Sequence, residues 1–374
     1  MYFCKDDFIG IGDVAHLAAG GETPQLKSHL AAMAQFATDK ALGMPGRERF
    51  FAVRQRVADL LASMLNVPAT NIGFVGSSSA GMIQVVAALH WQPGDEVLVV
   101  DDEYPSGRYL FAWLARYGVS CRFAVYHPDP DQEAAHIESL LTNRTRLVYV
   151  SHVSTRTGRR IDIHRLCNSA HRVGAKLLVD ATHSLGIIPV DASDVDYLVC
   201  SGYKWLLGTH MGIVMWNRAR DDDFHPPVGW RSGTPGTSPD AYHLHADAAR
   251  LEVGNPNFVD LYIMENALQY HNRVPITDIA SYAIAQGSVL LDMLRSHAQI
   301  LTPELPIHRA GNICIETSDA PSIVVQAAQH GVVLWGDADL QRIRLSVHAY
   351  VTPADVMRAG EVVAKLLRND MPRL

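Results

Sequence analysis

The sequence predicts an α/β protein: a mostly parallel sheet with helices on both faces, followed by a smaller α+β region at the C-terminal end. Three observations carry that prediction. From about Gly46 short β-rich runs alternate with helical stretches. The runs are continuously apolar instead of alternating, which suits strands buried on both faces. After about Val274 the texture changes to a long helical stretch, short strands and a closing helix.

Taken in order, RERFFAVRQRVADLLASMLN repeats apolar residues at i, i+3 and i+4 and predicts an amphipathic helix. The runs NIGFVG, DEVLVVDD, CRFAVY, TRLVYVSH, AKLLVDAT, VDYLVCS and GIVMW then read as strands. Helical segments separate most of them: SAGMIQVVAALHW, GRYLFAWLARYG, DQEAAHIESLLTN and IDIHRLCNSAHRVG. Helical crossovers between apolar strands imply a parallel sheet, with ligands bound at the strands' carboxyl ends. Asp221 to Pro239, rich in Gly, Pro, Asp and Ser, reads as a long surface loop. Beyond it a helix from Thr277 to His297, the strands NICIET, VVLWGD and RIRLSVH, and a helix from Thr352 to Leu367 are expected. The chain thus divides into an N-terminal segment (1–25) packing back on the small domain, a large domain (26–274) and a small C-terminal domain (275–374).

At 374 residues the chain exceeds the size at which a single core stops growing, which also favours two domains. Its 48% apolar and 19% charged residues are those of an ordinary globular protein. The formal charge of −7, with no Lys/Arg cluster, argues against nucleic acid or an anionic membrane as partner. Five scattered cysteines without a CxxC fit a reducing compartment. The start MYFCKDDFIGIGD has no basic n-region or long apolar stretch, and no run reaches membrane-spanning length, so the expectation is cytoplasmic.

The chemistry is sought at strand ends. Gly76-Ser77-Ser78-Ser79-Ala80-Gly81 opens a helix and offers N–H and hydroxyl donors to a phosphate, or serves as a plain N-cap. Tyr104 follows the next strand, where it presents an aromatic face to a planar ring or fills a turn. His152 stands at the end of TRLVYVSH, as a structural or a functional histidine. Asp180 ends an otherwise apolar strand and needs a cationic partner or a helix to cap; His183 could reach the same ligand. Lys204, with Ser201 before it, lies between two apolar runs, where an ammonium is costly unless paired, neutralised or covalently used. A lysine, an acid and a phosphate-type serine loop at successive strand ends meet the demands of pyridoxal phosphate: a Schiff-base lysine, a partner for the ring nitrogen and a phosphate cradle. No G-x-G-x-x-G follows the first strand, which excludes an NAD-type reading.

SHVSTRTGRRIDI, LLVDATHSLG, SGYKWLLG and RLEVGNPNFV, in that order, resemble the landmarks of class V aminotransferase-fold enzymes. That group contains cysteine desulfurases, selenocysteine lyases and isopenicillin N epimerase-like proteins. The resemblance runs from HLAAGGETP to the final helix. It implies the pyridoxal-phosphate fold-type I, with a seven-stranded large domain, working as a homodimer with shared active sites on a small amino acid substrate. It makes Lys204 the cofactor lysine, Asp180 the pyridinium partner and His183 a neighbour of the phenolic oxygen. Ser78, Ser79, Ala80 and Ser201 would hold the phosphate, and Tyr104 the stacking position. His152 would lie near the cofactor oxygen and the substrate, and Tyr203 precedes the lysine as in the epimerase-like branch. Asn255 would reach the neighbouring subunit's phosphate. Arg344, in RIRLSVHAY, would clamp the substrate carboxylate, with Arg342 its rival two residues away. Trp230, Arg231, Thr234, His210, Trp335 and His348 are candidates for lining a side-chain pocket.

One departure matters. The stretch from Gly331 to Gln341 lacks the cysteine that persulfide-forming desulfurases carry ahead of the arginine strand. The expected activity is therefore β-elimination of the C–S lyase type, or epimerisation, through an external aldimine and a Cα carbanion. Amino-group transfer to a 2-oxo acid shares this machinery, and a catalytically silent relative is the remaining alternative. No metal is expected.

Overall fold

Seven strands form one sheet in the computed structural model, which describes residues 2–370. Their order is Ile72–Val75, Gly212–Trp216, Tyr197–Ser201, Lys176–Asp180, Thr145–Ser151, Glu96–Val100 and Ser120–Ala124. All neighbours pair in parallel except Gly212–Trp216, which runs antiparallel to both strands beside it. Each predicted strand is present. Side chains alternate between two cores: Leu98, Val148, Val179 and Leu198 face one, and Val97, Leu147, Leu178 and Val199 the other. Burial on both faces is what the unbroken apolar runs require.

Helices Met44–Leu65, Ser78–Ala88, Pro105–Trp113, Pro130–Leu140 and Ile163–Arg172 supply the coverings, close to their predicted places. Three further helices, His29–Ala41, Phe258–His271 and Ala320–Gln329, have no counterpart in the sequence reading. The expected surface loop carries a short antiparallel hairpin, Gly233–Pro235 with Tyr242–Leu244.

The C-terminal portion builds a three-stranded antiparallel sheet in the order Asn312–Glu316, Arg342–Ser346, Trp335–Asp337. The predicted strand VVLWGD is two: Val332–Val333 pairs in parallel with Ala15–His16, and Trp335–Asp337 joins the other sheet. The chain start returns to this region, with Tyr2 and Phe3 N–H groups both donating to Ala349 O. Phe3, Phe8 and Leu17 share a core with Ile313, Ile343 and Leu345. Among the described residues no single helix is long and apolar enough to cross a membrane.

Candidate active site

The carboxyl ends of the parallel strands converge on a cleft of about 220 Å³. Ser78, Ser79, Tyr104, Asp180, His183, Ser201, Tyr203 and Lys204 all line it. Eight predicted site residues, scattered over 127 positions from 78 to 204, therefore meet in one place.

The serine turn comes first. Ser77 caps helix Ser78–Ala88, its Oγ accepting from Ala80 N at 3.1 Å. The N–H groups of Ser78 and Ser79, in the first turn, have no intrahelical acceptor. Ser78 Oγ lies 2.8 Å from Ser201 Oγ, and Ser79 Oγ 2.9 Å from Ser106 Oγ. Only glycine allows strand Gly212–Trp216 to start beside this turn, because a Cβ at 212 would sit 2.2 Å from the Ser77 carbonyl carbon. Hydroxyls, free N–H groups and a helix N-terminus form a cradle with the chemistry a phosphate needs.

Asp180 closes its strand with its carboxylate buried. Oδ1 accepts from Thr182 N at 2.8 Å and Oδ2 from the Tyr149 hydroxyl at 3.5 Å. Burial raises its pKa against the pull of the Lys204 charge, and no salt bridge within 4 Å reaches it among the described residues. A protonated ring nitrogen would supply a cation. Lys204 follows the next strand on a loop held by Gly202 N to Met211 O (2.9 Å) and Leu207 N to Lys204 O (3.0 Å). Leu207, fully buried, is kept at φ +62°, a conformation costly for leucine and one that surrounding contacts must impose. Thr23, from the chain start, donates to the carbonyls of Tyr203 (2.9 Å) and Lys204 (3.1 Å). Lys204 Nζ lies 3.3 Å from His183 Nε2. Burial, seconded by the Arg344 charge, pulls Lys204 down to about 8, near neutrality for a base. Burial likewise holds His183 well below its ordinary value, so its ring is neutral. Tyr203 stacks on His210 at 4.2 Å beside the cleft, and Tyr104, half exposed, stands at its mouth.

Arg344 stands next to the cleft with only 2% exposure. Its NH1 donates to Thr155 O (2.9 Å) and Oγ1 (2.5 Å), and its guanidinium covers the Trp335 ring at 4.5 Å. Nε has no partner, and burial lowers the group to about 10. Arg342 is different: it pairs with Asp102 at 3.3 Å. The arginine left open for a carboxylate is Arg344.

Besides Arg344, which stands beside it, three predicted cofactor or catalytic residues do not line the cleft. Of the side-chain-pocket candidates only His210 does; Trp230, Arg231, Thr234, Trp335 and His348 do not. His152 is buried on the other side of its segment, its Nε2 3.4 Å from Arg160 Nε, and lines a separate cavity. Burial lowers it to about 3. The reason is local: Ser154 Oγ accepts from Arg156 N (3.1 Å) and Thr157 N (3.2 Å), and this turn brings Thr155 into the cleft instead. Ala80 faces a neighbouring depression, its N–H already engaged by Ser77. Asn255 lines that same depression, where its Oδ1 accepts from Arg47 NH2 at 2.6 Å. Thr155, Thr182 and Asn312 were missed. For Thr155 the signal was present in SHVSTRTG, three residues beyond the histidine singled out.

The sequence matches the model of the family Aminotransferase class-V over residues 44–358. It is 27% identical over 233 residues to a probable cysteine desulfurase of Methanothermobacter thermautotrophicus, covering 62% of this chain and 58% of that one. It is 26% identical over 307 residues to one of Mycolicibacterium paratuberculosis, covering 74% and 43%. The chain thus spans about half the length of these relatives. A kynureninase of Deinococcus radiodurans is 25% identical over 335 residues, covering 85% and 79%. Among solved structures, a mutant of C-DES with glycine covalently linked to its PLP cofactor superposes with a TM-score of 0.87 at 25% identity, covering 96% and 98%. The chain belongs to the class-V aminotransferase family, a pyridoxal-phosphate-dependent family of enzymes.

Proposed function

We propose that this chain is a pyridoxal-phosphate enzyme that eliminates a β-substituent from an α-amino acid, as a C–S lyase does. One observation carries the reading: the buried Asp180 and Arg344 and the partly buried Lys204 meet around one cleft, and among the described residues no salt bridge within 4 Å completes any of them. In a folded chain such groups are expensive unless a ligand completes them.

Ser78, Ser79 and Ser201 would hold the phosphate with the first-turn N–H groups. Asp180 would face the ring nitrogen, His183 the phenolic oxygen and Tyr104 the ring face. The bound cofactor supplies an electron sink for the pair left at the substrate α-carbon. Arg344 and Thr155 fix the carboxylate, which sets the Cα–H bond relative to Lys204. Lys204 Nζ takes the α-proton, and as an ammonium gives a proton to the departing sulfur as the Cβ–S bond breaks. The released enamine hydrolyses to a 2-oxo acid and ammonia.

The cysteines favour elimination over persulfide formation. Cys314 pairs across the strands with Arg344, but burial pushes its thiol up to about 12, and Cys200 behind Asp180 is pushed higher. Neither offers a thiolate to accept sulfur. C-DES, described as a cystine C–S lyase, supports the same choice. Epimerisation is the second reading, favoured by 28% identity over 199 residues to isopenicillin N epimerase of Streptomyces clavuligerus.

The test is a screen of amino acids for pyruvate, ammonia, sulfide and inverted enantiomer. Pyruvate and ammonia are expected, with sulfide from cysteine or with cysteine persulfide from cystine. Inverted enantiomer without ammonia would replace elimination by epimerisation, and product formed only with an added 2-oxo acid would make the enzyme an aminotransferase. A protein that stays colourless with cofactor and is not reduced by borohydride would be a silent relative.

The reading includes a homodimer in a reducing compartment such as the cytoplasm. Asn255 lines a depression beside the cleft together with Val253, 44% exposed. A partner's phosphate would place it to use. Asn255→Ala should weaken cofactor binding by about 1–3 kcal/mol, the range for one hydrogen bond to a charged group. Sedimentation should show cofactor removal loosening the dimer. A fully active monomer would overturn the shared site.

A further inference from the structure

Two side chains that the proposed reaction does not use, Ser346 and Asn312, form a line with His183 behind the lysine. Ser346 Oγ donates to Asn312 Oδ1 at 2.9 Å. Asn312 Nδ2 lies 3.0 Å from His183 Nδ1, and His183 Nε2 lies 3.3 Å from Lys204 Nζ. Asn312 and Ser346 are fully buried, and His183 is 5% exposed. Asn312 and Ser346 are partners across the antiparallel strands, so their side chains share one face, and Arg344, two residues before Ser346, lies on that face too. Gly20 seals the line: a Cβ there would sit 2.7 Å from Ser346 Oγ, 2.8 Å from Asn312 Oδ1 and 3.1 Å from Arg344 Nε.

The hydrogen bonds have a fixed direction. An amide oxygen that receives the serine hydroxyl leaves the NH₂ group for histidine, and an NH₂ group can only donate. A neutral imidazole that accepts at Nδ1 carries its proton at Nε2. We infer that Asn312 is a positioning residue for Lys204, fixing His183 as the Nε2–H tautomer so that the lysine is met by a donor. An ammonium at Nζ would then face an N–H, whereas a free amine can accept from it. The consequence for catalysis rests on Lys204 being the base; the hydrogen-bond assignment does not.

Other charges around Lys204 act on it independently. Arg344 lowers its proton affinity, while Asp180, Cys200 and Glu22 raise it. His183 is faced by Lys204 and Arg344, both of which disfavour the imidazolium. Of these groups only Lys204 touches the ring, at Nε2, where an ammonium would favour the opposite tautomer, whereas Asn312 alone touches Nδ1 among the described residues.

The experiment is a ¹⁵N-histidine spectrum of the full chain without cofactor, with His183 assigned by its disappearance in His183→Gln. In the wild type Nε2 should carry the proton and Nδ1 should not. A proton on Nδ1 overturns the inference, because the amide would then be reversed. In Asn312→Asp a carboxylate replaces the donor, so the proton should move to Nδ1 and Nε2 should become an acceptor for Lys204. The titration midpoint of Lys204, followed by the pH dependence of its reductive methylation, should then rise by about one unit. An unchanged tautomer and midpoint would also overturn the inference. Ser346→Ala is the milder variant: it frees the amide to turn, so both tautomers should appear, and a single unchanged one counts against the idea. These readouts need no bound cofactor, so a protein that fails to bind pyridoxal phosphate would sink the proposed function and leave this test standing.

Discussion

Two buried charged clusters lie one strand apart in this molecule, and they are built oppositely. In the first, Arg159 bonds Glu133, approaches Glu103 to 4.0 Å and donates to Ser151 O at 3.2 Å. Glu103 in turn accepts from Ser151 N (2.7 Å) and Ser151 Oγ (2.5 Å). In the second, Asp180, Lys204 and Arg344 surround a cleft without pairing. Ser151, which pairs across the ladder with Asp180, stands between the two. A buried charge completed within the chain is architecture; one left open marks a place for a ligand. The first sets two carboxylates around one cation and the second two cations around one carboxylate, and the geometry of pairing separates them.

The largest effect expected from breaking this contrast is on the open side. Lys204→Ala removes both the anchor and the base, and turnover should fall by about 10²–10⁴-fold. The stability should hold, since the variant breaks no salt bridge among the described residues. A variant that keeps the visible spectrum and rate of the wild type would show that another residue is the base.

The two buried arginines sharpen the comparison. Arg159→Met strands Glu133 and Glu103 without their cation and should cost about 3–5 kcal/mol in urea unfolding. Arg344→Met strands no carboxylate. Its stability should stay near wild type, while KM for an amino acid rises by at least about tenfold through loss of a charge-assisted pair. Equal destabilisation of both variants would mean that Arg344 is structural too.

The sequence is legible where one physical demand dominates. Strands buried on both faces must be apolar throughout, so the inner strands of the large sheet could be read from runs such as DEVLVV and VDYLVC. The edge strand Ser120–Ala124 is partly exposed and reads as a strand from its β-forming residues. Asp180 and Lys204 stood out because a charge ending such a run has to be explained. Helix Phe258–His271 escaped notice because it is buried on most sides, Leu261 to Met264 consecutively, and so shows no apolar stripe. VVLWGD looked like one strand because the switch between two sheets at Leu334 leaves no mark in hydropathy. His152 stands out in the sequence and Thr155 does not, because the Ser154 turn that selects the threonine is a matter of hydrogen bonds, not residue type. Asn312 begins an apolar strand and becomes informative only once His183 is seen 129 positions away in sequence and 3.0 Å away in space.

The smallest effect belongs to the closed cluster, and it has a sign. Burial pushes the Glu103 carboxyl up to about 6 from 4.5, more than the Arg159 charge and the Ser151 hydrogen bonds pull it down. A carboxyl with a raised folded value binds its proton more tightly in the native state. Its favourable contribution is therefore complete below pH 4.5 and is lost as pH rises through about 6. The difference of 1.5 units corresponds to about 2 kcal/mol. Other carboxylates titrate in the same window, so the measurement is the difference between wild type and Glu103→Gln, whose amide oxygen can still accept from Ser151 N. Between pH 4.5 and 7 the wild type should lose about 2 kcal/mol relative to the variant in denaturant unfolding. A difference that stays flat would mean that Arg159 and Ser151 compensate the burial in full. A difference of opposite sign would mean that they overcompensate it, and the closed cluster would then be a net source of stability at neutral pH.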